Sequence, residues 1–172
     1  GDWNGTKPFF AWLHMFDIHH PYEPPEPHKS AFPGRPYLGE IAWTDSVVAE
    51  FLNELQARQA LDNTWIFILS DHGEGRGSHG EQLHGALLYN STTRIPFVVV
   101  PPTRDGGGRR VDFPTSLVDV FPTAMHLAGL TAPEGLDGIS LAPWLSPTPA
   151  EPLKNREVYL ESLYAYRHYG WA

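Results

Sequence analysis

Asp71-His72-Gly73 is the tripeptide in this sequence whose residue types point most directly to chemistry. A carboxylate beside an imidazole supplies a hard oxygen and a borderline nitrogen, a pair suited to Mn²⁺, Zn²⁺ or Mg²⁺. The glycine behind them lets the backbone turn so that neighbouring side chains converge. A second reading is open here, in which Asp71 caps a turn and His72 is a surface residue. His79 and His84 follow within Ser78-His-Gly-Glu-Gln-Leu-His-Gly85. Their spacing does not match the i, i+4 pairing of a helical metal motif. They read either as loop residues reaching a shared centre or as solvated polar residues, and Glu74 and Glu81 read as solvated or hydrogen-bonding loop carboxylates. His14, Asp17, His19 and His20 form an earlier cluster that leads into Pro21-Tyr22. His14 sits inside an apolar run and reads as a core histidine, and Asp17 as a turn former bonded to its own backbone. His19 or His20 is placed to meet a substrate oxyanion. No GxSxG elbow is present, and Gly73-Glu-Gly75-Arg-Gly77 lacks the ending of a P-loop and the spacing of a dinucleotide fingerprint.

The elements that must position these residues follow from patterning. Residues 9–16 are a nearly continuous aromatic and apolar run, which predicts a buried strand. The prolines between His19 and Pro36 predict loop. Apolar positions at Ile41, Thr44, Val48, Phe51, Leu52 and Leu55 recur every three or four residues, predicting a helix over residues 37–60. Residues 64–70 and 95–100 predict two further buried strands, with Asp71 leaving the carboxyl end of the first, where open parallel sheets place their ligands. Residues 71–85 are too glycine-rich and polar for a helix, and residues 105–108 read as a turn. A helix is expected from Ser116 to a C′ glycine at Gly129, with Pro122 marking a kink or a split start. Residues 131–155 read as proline-rich loop with a short turn near 141–145, residues 157–161 as a fourth strand. Tyr164, Tyr166, Tyr169 and Trp171 read as core or interface material. Strand, helix, strand with apolar strands predicts an α/β fold: a mostly parallel central sheet covered by helices.

Composition narrows the function classes. The chain has 172 residues, 41% hydrophobic and 13% aromatic, enough for a core and inconsistent with a disordered tail or a coiled-coil rod. Twelve Lys and Arg against 20 Asp and Glu give a net charge of −8, which disfavours nucleic acid as a partner. No run approaches the roughly 20 apolar residues of a membrane span, and residues 1–20 lack the pattern of a signal peptide, so the compartment is left unknown. With no cysteine, disulfides, thiolate metal sites and a Cys nucleophile within this chain are excluded. The 16 Gly and 17 Pro together are about a fifth of the chain, so much of it must be ordered loop.

With these residues assembled, the chain resembles the carboxyl-terminal part of a sulfatase catalytic domain of the alkaline phosphatase superfamily. The resemblance rests on Asp17-Ile-His19-His-Pro21-Tyr22-Glu-Pro-Pro25, on Tyr37-Leu-Gly-Glu-Ile-Ala-Trp-Thr-Asp45, and above all on Ser70-Asp-His-Gly-Glu74 with His79-Gly-Glu81 and His84-Gly85. Leu88-Tyr-Asn-Ser-Thr-Thr-Arg-Ile-Pro96, Val118-Asp-Val-Phe-Pro-Thr123 and Leu136-Asp-Gly-Ile-Ser-Leu141 continue in the family's order, so that it covers about residues 9–146. It implies an alkaline phosphatase-like α/β domain that hydrolyses sulfate or phosphate esters at one bound divalent metal, Mn, Zn or Ca. Asp71 and His72 match the family's late metal-ligand pair, and His19 matches the histidine that contacts the ester. His84 falls where the family places a Lys or His facing the transferred group, and His79 is read as substrate-binding. Many sulfatases carry Asn after the late Asp; the nitrogen of His72 tilts the metal towards Mn²⁺ or Zn²⁺.

The family's nucleophile and early metal ligands belong to an amino-terminal half, so residues 1–172 read as one partial catalytic domain, inactive alone and prone to self-association through an exposed sheet edge. The expected parent is a sulfuric ester hydrolase acting on a small-molecule ester. Two alternatives stand beside it: a phosphate or phosphonate ester hydrolase or phosphoethanolamine-type transferase of the same superfamily, and a noncatalytic binding module.

Overall fold

The computed structural model describes residue 5 and residues 7–103 and 108–170. Residues 105–107 of the turn expected at 105–108, and Trp171, therefore lie outside the described residues. The chain forms two compact units, Gly1–Thr64 and Trp65–Ala172.

In the first unit, residues 9–16 are irregular rather than a strand, and Phe10 is 83% exposed. His14 is also exposed, which corrects its reading as a core histidine. The apolar pattern is that of a strand, but a strand is held by ladder bonds to neighbours, and no ladder pairs this segment among the described residues. The proline-rich stretch is loop as expected, apart from a single helical turn, α1 (His28–Ala31), entered from Pro27. Helix α2 (Pro36–Ala57) starts with proline at its first position, where the missing N–H costs no helical bond. Its predicted stripe is half-buried at Thr44, Val48, Phe51, Leu52 and Leu55. The helix ends by a Schellman closure, with Ala60 N–H donating to Leu55 O at 2.9 Å and Gln59 N–H to Gln56 O at 2.9 Å. Ala60 and Leu61 are buried behind it.

The fully buried positions of α2 are Gly39 and Glu40. Glu40 is 2% exposed and accepts the Glu23 backbone N–H on Oε1 at 2.7 Å. Burial pushes its carboxyl above the usual carboxylate range.

The second unit carries two short strands, β1 (Ile66–Leu69) and, after a single turn of helix α3 (Asn90–Thr93), β2 (Phe97–Val100). They pair antiparallel, Ile66 with Val100 and Leu69 with Phe97. A parallel neighbour needs a covering crossover, usually a helix; residues 70–96 hold only short helical turns and double back. Pro96, which has no N–H to give a ladder, delays β2 by two residues from its expected start at 95. Residues 157–161 form no strand, and Tyr159 is 81% exposed.

Beyond β2 the unit is organised by one carboxylate. A 3-10 turn, Leu117–Asp119, runs into helix α4 (Val120–Leu127), the split start expected from Pro122, which sits in the first helical turn where it forfeits nothing. The helix closes at Gly129 as expected, with Leu130 N–H reaching Met125 O at 2.9 Å. Asp119 is fully buried: Oδ2 accepts the Ser116 N–H at 2.7 Å, while Oδ1 accepts the Ile139 N–H at 2.9 Å and the Arg156 guanidinium at 2.6 Å. The other arm of Arg156 donates to Pro114 O. Thr123, also fully buried, donates to Asp119 O and accepts the Leu141 N–H at 2.8 Å, which seats helix α5 (Ala142–Leu145). Phe113 packs edge-on against Trp144 beneath it. Helix α6 (Tyr164–Tyr169) presents Tyr166 and Tyr169 to solvent, so these two are not core.

Two stability predictions follow from these carboxylates. Asp119→Ala orphans two backbone donors and a nearly buried guanidinium, and urea unfolding is expected to show a loss of about 3–5 kcal/mol; a loss under about 1 kcal/mol would contradict the hub role. Glu40 has the opposite sign. A carboxyl raised in the folded state contributes most below its ordinary range and costs stability as pH climbs through the raised one. Glu40→Gln should therefore melt with the wild type near about pH 4 and above it near about pH 7.5.

Candidate active site

The site is built on the segment that leaves β1 and returns to β2. Ser70 Oγ donates to His72 O at 2.7 Å, and the His72 N–H donates to Asp71 Oδ1 at 3.0 Å, so the Asp71 carboxylate is oriented by the backbone of its neighbour. The His72 ring donates Nδ1–H to Gly73 O at 2.8 Å. A carbonyl can only accept, so this bond places a proton on Nδ1. Nε2 lies 3.7 Å from Asp71 Oδ2. The loop is pinned to α3 by Gly73 N–H to Thr92 O at 2.8 Å, and Thr92 is itself buried.

A miniature hairpin then carries the chain away and back. Gly75 N–H donates to Leu83 O at 2.7 Å, Arg76 N–H to Gln82 O at 3.1 Å and Gly77 N–H to Glu81 O at 2.8 Å, with a 3-10 turn, Ser78–Gly80, at the tip. A Cβ at Gly75 would stand 2.5 Å from Glu81 O and 2.6 Å from Leu83 O, so glycine is what allows the two arms to close. Closure places Glu74 and His84 side by side: Glu74 Oε1 accepts from His84 Nδ1 at 3.1 Å. The Glu74 side chain is 6% exposed, whereas Asp71 stands in solvent. The His84 ring stacks on that of His72, centroids 3.7 Å apart. Glu81 Oε1 accepts the N–H groups of Ala86 and Leu87, and Ser162 Oγ donates to Gly85 O, which holds the segment just beyond His84.

Asp71, His72 and His84 are thus brought together. His79 makes its contacts at the hairpin tip instead, stacked on Tyr89 at 3.6 Å with Nδ1 3.0 Å from Ser78 Oγ. Its partner there can donate or accept, so its proton is not fixed as that of His72 is. His19 belongs to the first unit, where its Nδ1–H donates to His20 O at 2.7 Å and its ring packs on Phe16 at 4.9 Å. The residue that patterning did not single out is Glu74. It reads as one more loop carboxylate, and only the return of the chain through Gly75 and Leu83 puts it beneath His84. The signal available in the sequence was the clustering of glycines between the two residues, which forces such a return.

Among the described residues no three His, Asp or Glu side chains converge as a complete metal site. The donor chemistry of Asp71 and His72 nevertheless fits part of one: a lone-pair nitrogen with its second nitrogen anchored, and a carboxylate oxygen within the span of two ligands each about 2.1 Å from a shared ion. His84 is held differently: its Nδ1 is bonded to a buried carboxylate rather than to a backbone carbonyl.

Comparison with known proteins bears on this geometry. The sequence model of the Sulfatase family matches residues 2–130, which include both histidine clusters. The uncharacterized sulfatase YidJ of Escherichia coli (strain K12) is 40% identical over 96 residues, covering 56% of this chain and 19% of that protein. Arylsulfatase K of Xenopus laevis is 32% identical over 110 residues, 64% of this chain and 20% of its own length. The structure of BT4656 in complex with its substrate D-glucosamine-2-N,6-O-disulfate superposes with a TM-score of 0.57 at 29% identity, covering 71% of this chain and 24% of that one. The chain spans about a fifth of the length of the curated relatives it matches. No helix among the described residues is long and apolar enough to cross a membrane.

The hairpin makes a sharp prediction. Gly75→Ala should open the two arms, raising hydrogen exchange at residues 75–83 and abolishing the ring-current shift that His72 and His84 impose on each other, while β1 and β2 stay protected. Retention of the shift would mean that the arms do not depend on glycine.

Proposed function

The chain belongs to the sulfatase family, and on that premise we propose that it is part of the catalytic domain of a metal-dependent sulfuric ester hydrolase. The observation that carries the proposal is the adjacency of two differently equipped pairs at the carboxyl end of β1: Asp71 with His72, and Glu74 with His84. In this reading Asp71 Oδ2 and His72 Nε2 hold a divalent metal together with groups from the rest of the site. When bound, that metal supplies Lewis-acid polarisation of the ester oxygens. Nitrogen ligation by His72 favours Mn²⁺ or Zn²⁺ over Ca²⁺.

His84 faces the transferred group. Held through Nδ1 by a buried carboxylate, it presents Nε2–H to an equatorial oxygen and keeps its charge where negative charge develops in the transition state. His19, tethered through its own Nδ1, offers Nε2–H to the ester oxygen and protonates the leaving group. His79, on its ledge against Tyr89, contacts the substrate away from the reacting bond. These roles comprise ligation, charge stabilisation and proton transfer; no nucleophile is assigned among these residues. The family match and the matched relatives support hydrolysis of sulfate esters, and nothing in them favours the transferase or the binding module.

The test is turnover of matched aryl sulfate and aryl phosphate esters by the complete protein. Sulfate hydrolysis should require a divalent metal, and His84→Ala should lower kcat by about 10²–10³ without unfolding the protein, the loss seen on removing one transition-state donor. Asp71→Ala should weaken metal binding measured by titration. A phosphate preference of about a hundredfold or more in kcat/KM, a difference of roughly 2.7 kcal/mol, would replace the sulfatase reading by the phosphoester one.

A further inference from the structure

Among the buried groups left unused by this mechanism, Glu40 stands apart. Glu40 lies near the start of α2, almost wholly buried, and its Oε1 takes the Glu23 N–H. Its second oxygen, Oε2, is buried with no hydrogen-bond partner among the described residues. Burial works against the ion, the Asp17 and Glu23 carboxylates add to that effect, and the Glu23 N–H bond and the His19 ring work the other way.

What Glu40 holds is the loop that carries His19. Three contacts seat that loop on the start of α2. The Glu23 N–H is bound to Glu40, and the Tyr22 ring meets that of Tyr37 edge-on at 5.3 Å. Pro24 lies so close to Gly39 that a Cβ there would fall 2.7 Å from Pro24 Cγ. Within the loop, His19 commits Nδ1 to His20 O, so exchange with a substrate runs through Nε2, and the direction of Nε2 is set by where the loop sits.

We propose that Glu40 is a positioning residue for His19: a buried carboxylate on α2 that fixes the loop presenting this histidine to the ester. The proposal rests on the reading of His19 as the group that meets the ester. Displacing a reacting group by about an ångström costs on the order of a hundredfold in rate, so a loop anchor a few residues away is enough to govern turnover.

The experiment uses the complete protein and an aryl sulfate, with four variants: Glu40→Ala, Glu40→Gln, His19→Ala and the double variant His19→Ala/Glu40→Ala. Glu40→Ala is expected to lower kcat/KM about 30-fold, chiefly through kcat, and Glu40→Gln, which keeps the acceptor for Glu23, to recover most of that loss. In the His19→Ala background the same Glu40→Ala change should cost no more than about threefold, because its effect passes through a group already removed. Fully additive losses, or a Gln variant no better than Ala, would overturn the proposal. Hydrogen exchange on the same proteins gives an arm independent of turnover: Glu40→Ala should expose the amides of residues 17–25 while residues 41–57 keep their protection, and unchanged or uniformly lost protection would also overturn it. If His19→Ala leaves turnover intact, it is the catalytic reading of His19 that fails, and the exchange arm alone decides whether Glu40 holds the loop.

Discussion

A buried carboxylate receiving backbone N–H groups is the interaction on which the rest of this chain depends. With two short strands and few long helices among the described residues, most of that backbone cannot satisfy itself in ladders, yet buried N–H groups left unpaired are costly. Glu40, Glu81 and Asp119 answer that constraint in three places. Each is buried, and each takes amides from a loop: Glu23 for the first, Ala86 and Leu87 for the second, Ser116 and Ile139 for the third. Asp119 is in addition ion-paired with Arg156. Glu40 and Glu81 each keep one oxygen without a partner among the described residues, a cost that backbone satisfaction alone would not require.

Three histidines share a second regularity: His19, His72 and His84 each use Nδ1 for a local anchor, two to backbone carbonyls and one to Glu74. The anchors differ in kind: His19 and His72 donate to neutral backbone carbonyls, and His84 to a buried carboxylate. His79 is paired with a hydroxyl instead.

Much of this was legible in the sequence where the physics is local. The period of Val48, Phe51, Leu52 and Leu55 specified α2, the glycine after Leu127 closed α4, and the apolar runs at 66–69 and 97–100 became strands. Asp71 and His72 were legible as a pair because adjacency needs no fold. What was not legible is what depends on partners distant in sequence. Residues 9–16 and 157–161 have strand composition but no ladder among the described residues, and the antiparallel pairing of β1 with β2 depends on a connection that doubles back rather than on either strand's residues. Glu74 was legible as a hydrogen-bonding loop carboxylate, but its partner was not, since His84 reaches it only through the hairpin.

That doubling back has an evolutionary consequence. Leu69 and Phe97 are cross-strand partners, so the whole segment bearing Asp71, His72, Glu74, His79 and His84 leaves and re-enters the sheet at a single rung. Its ends are already closed by the ladder, and lengthening a closed loop is thermodynamically mild: each doubling costs only about 0.6 kcal/mol. The tip around Ser78–Gly80 can therefore gain or lose residues while the rung keeps its geometry, and the segment is a unit that could be exchanged between homologous scaffolds through one pair of strand ends.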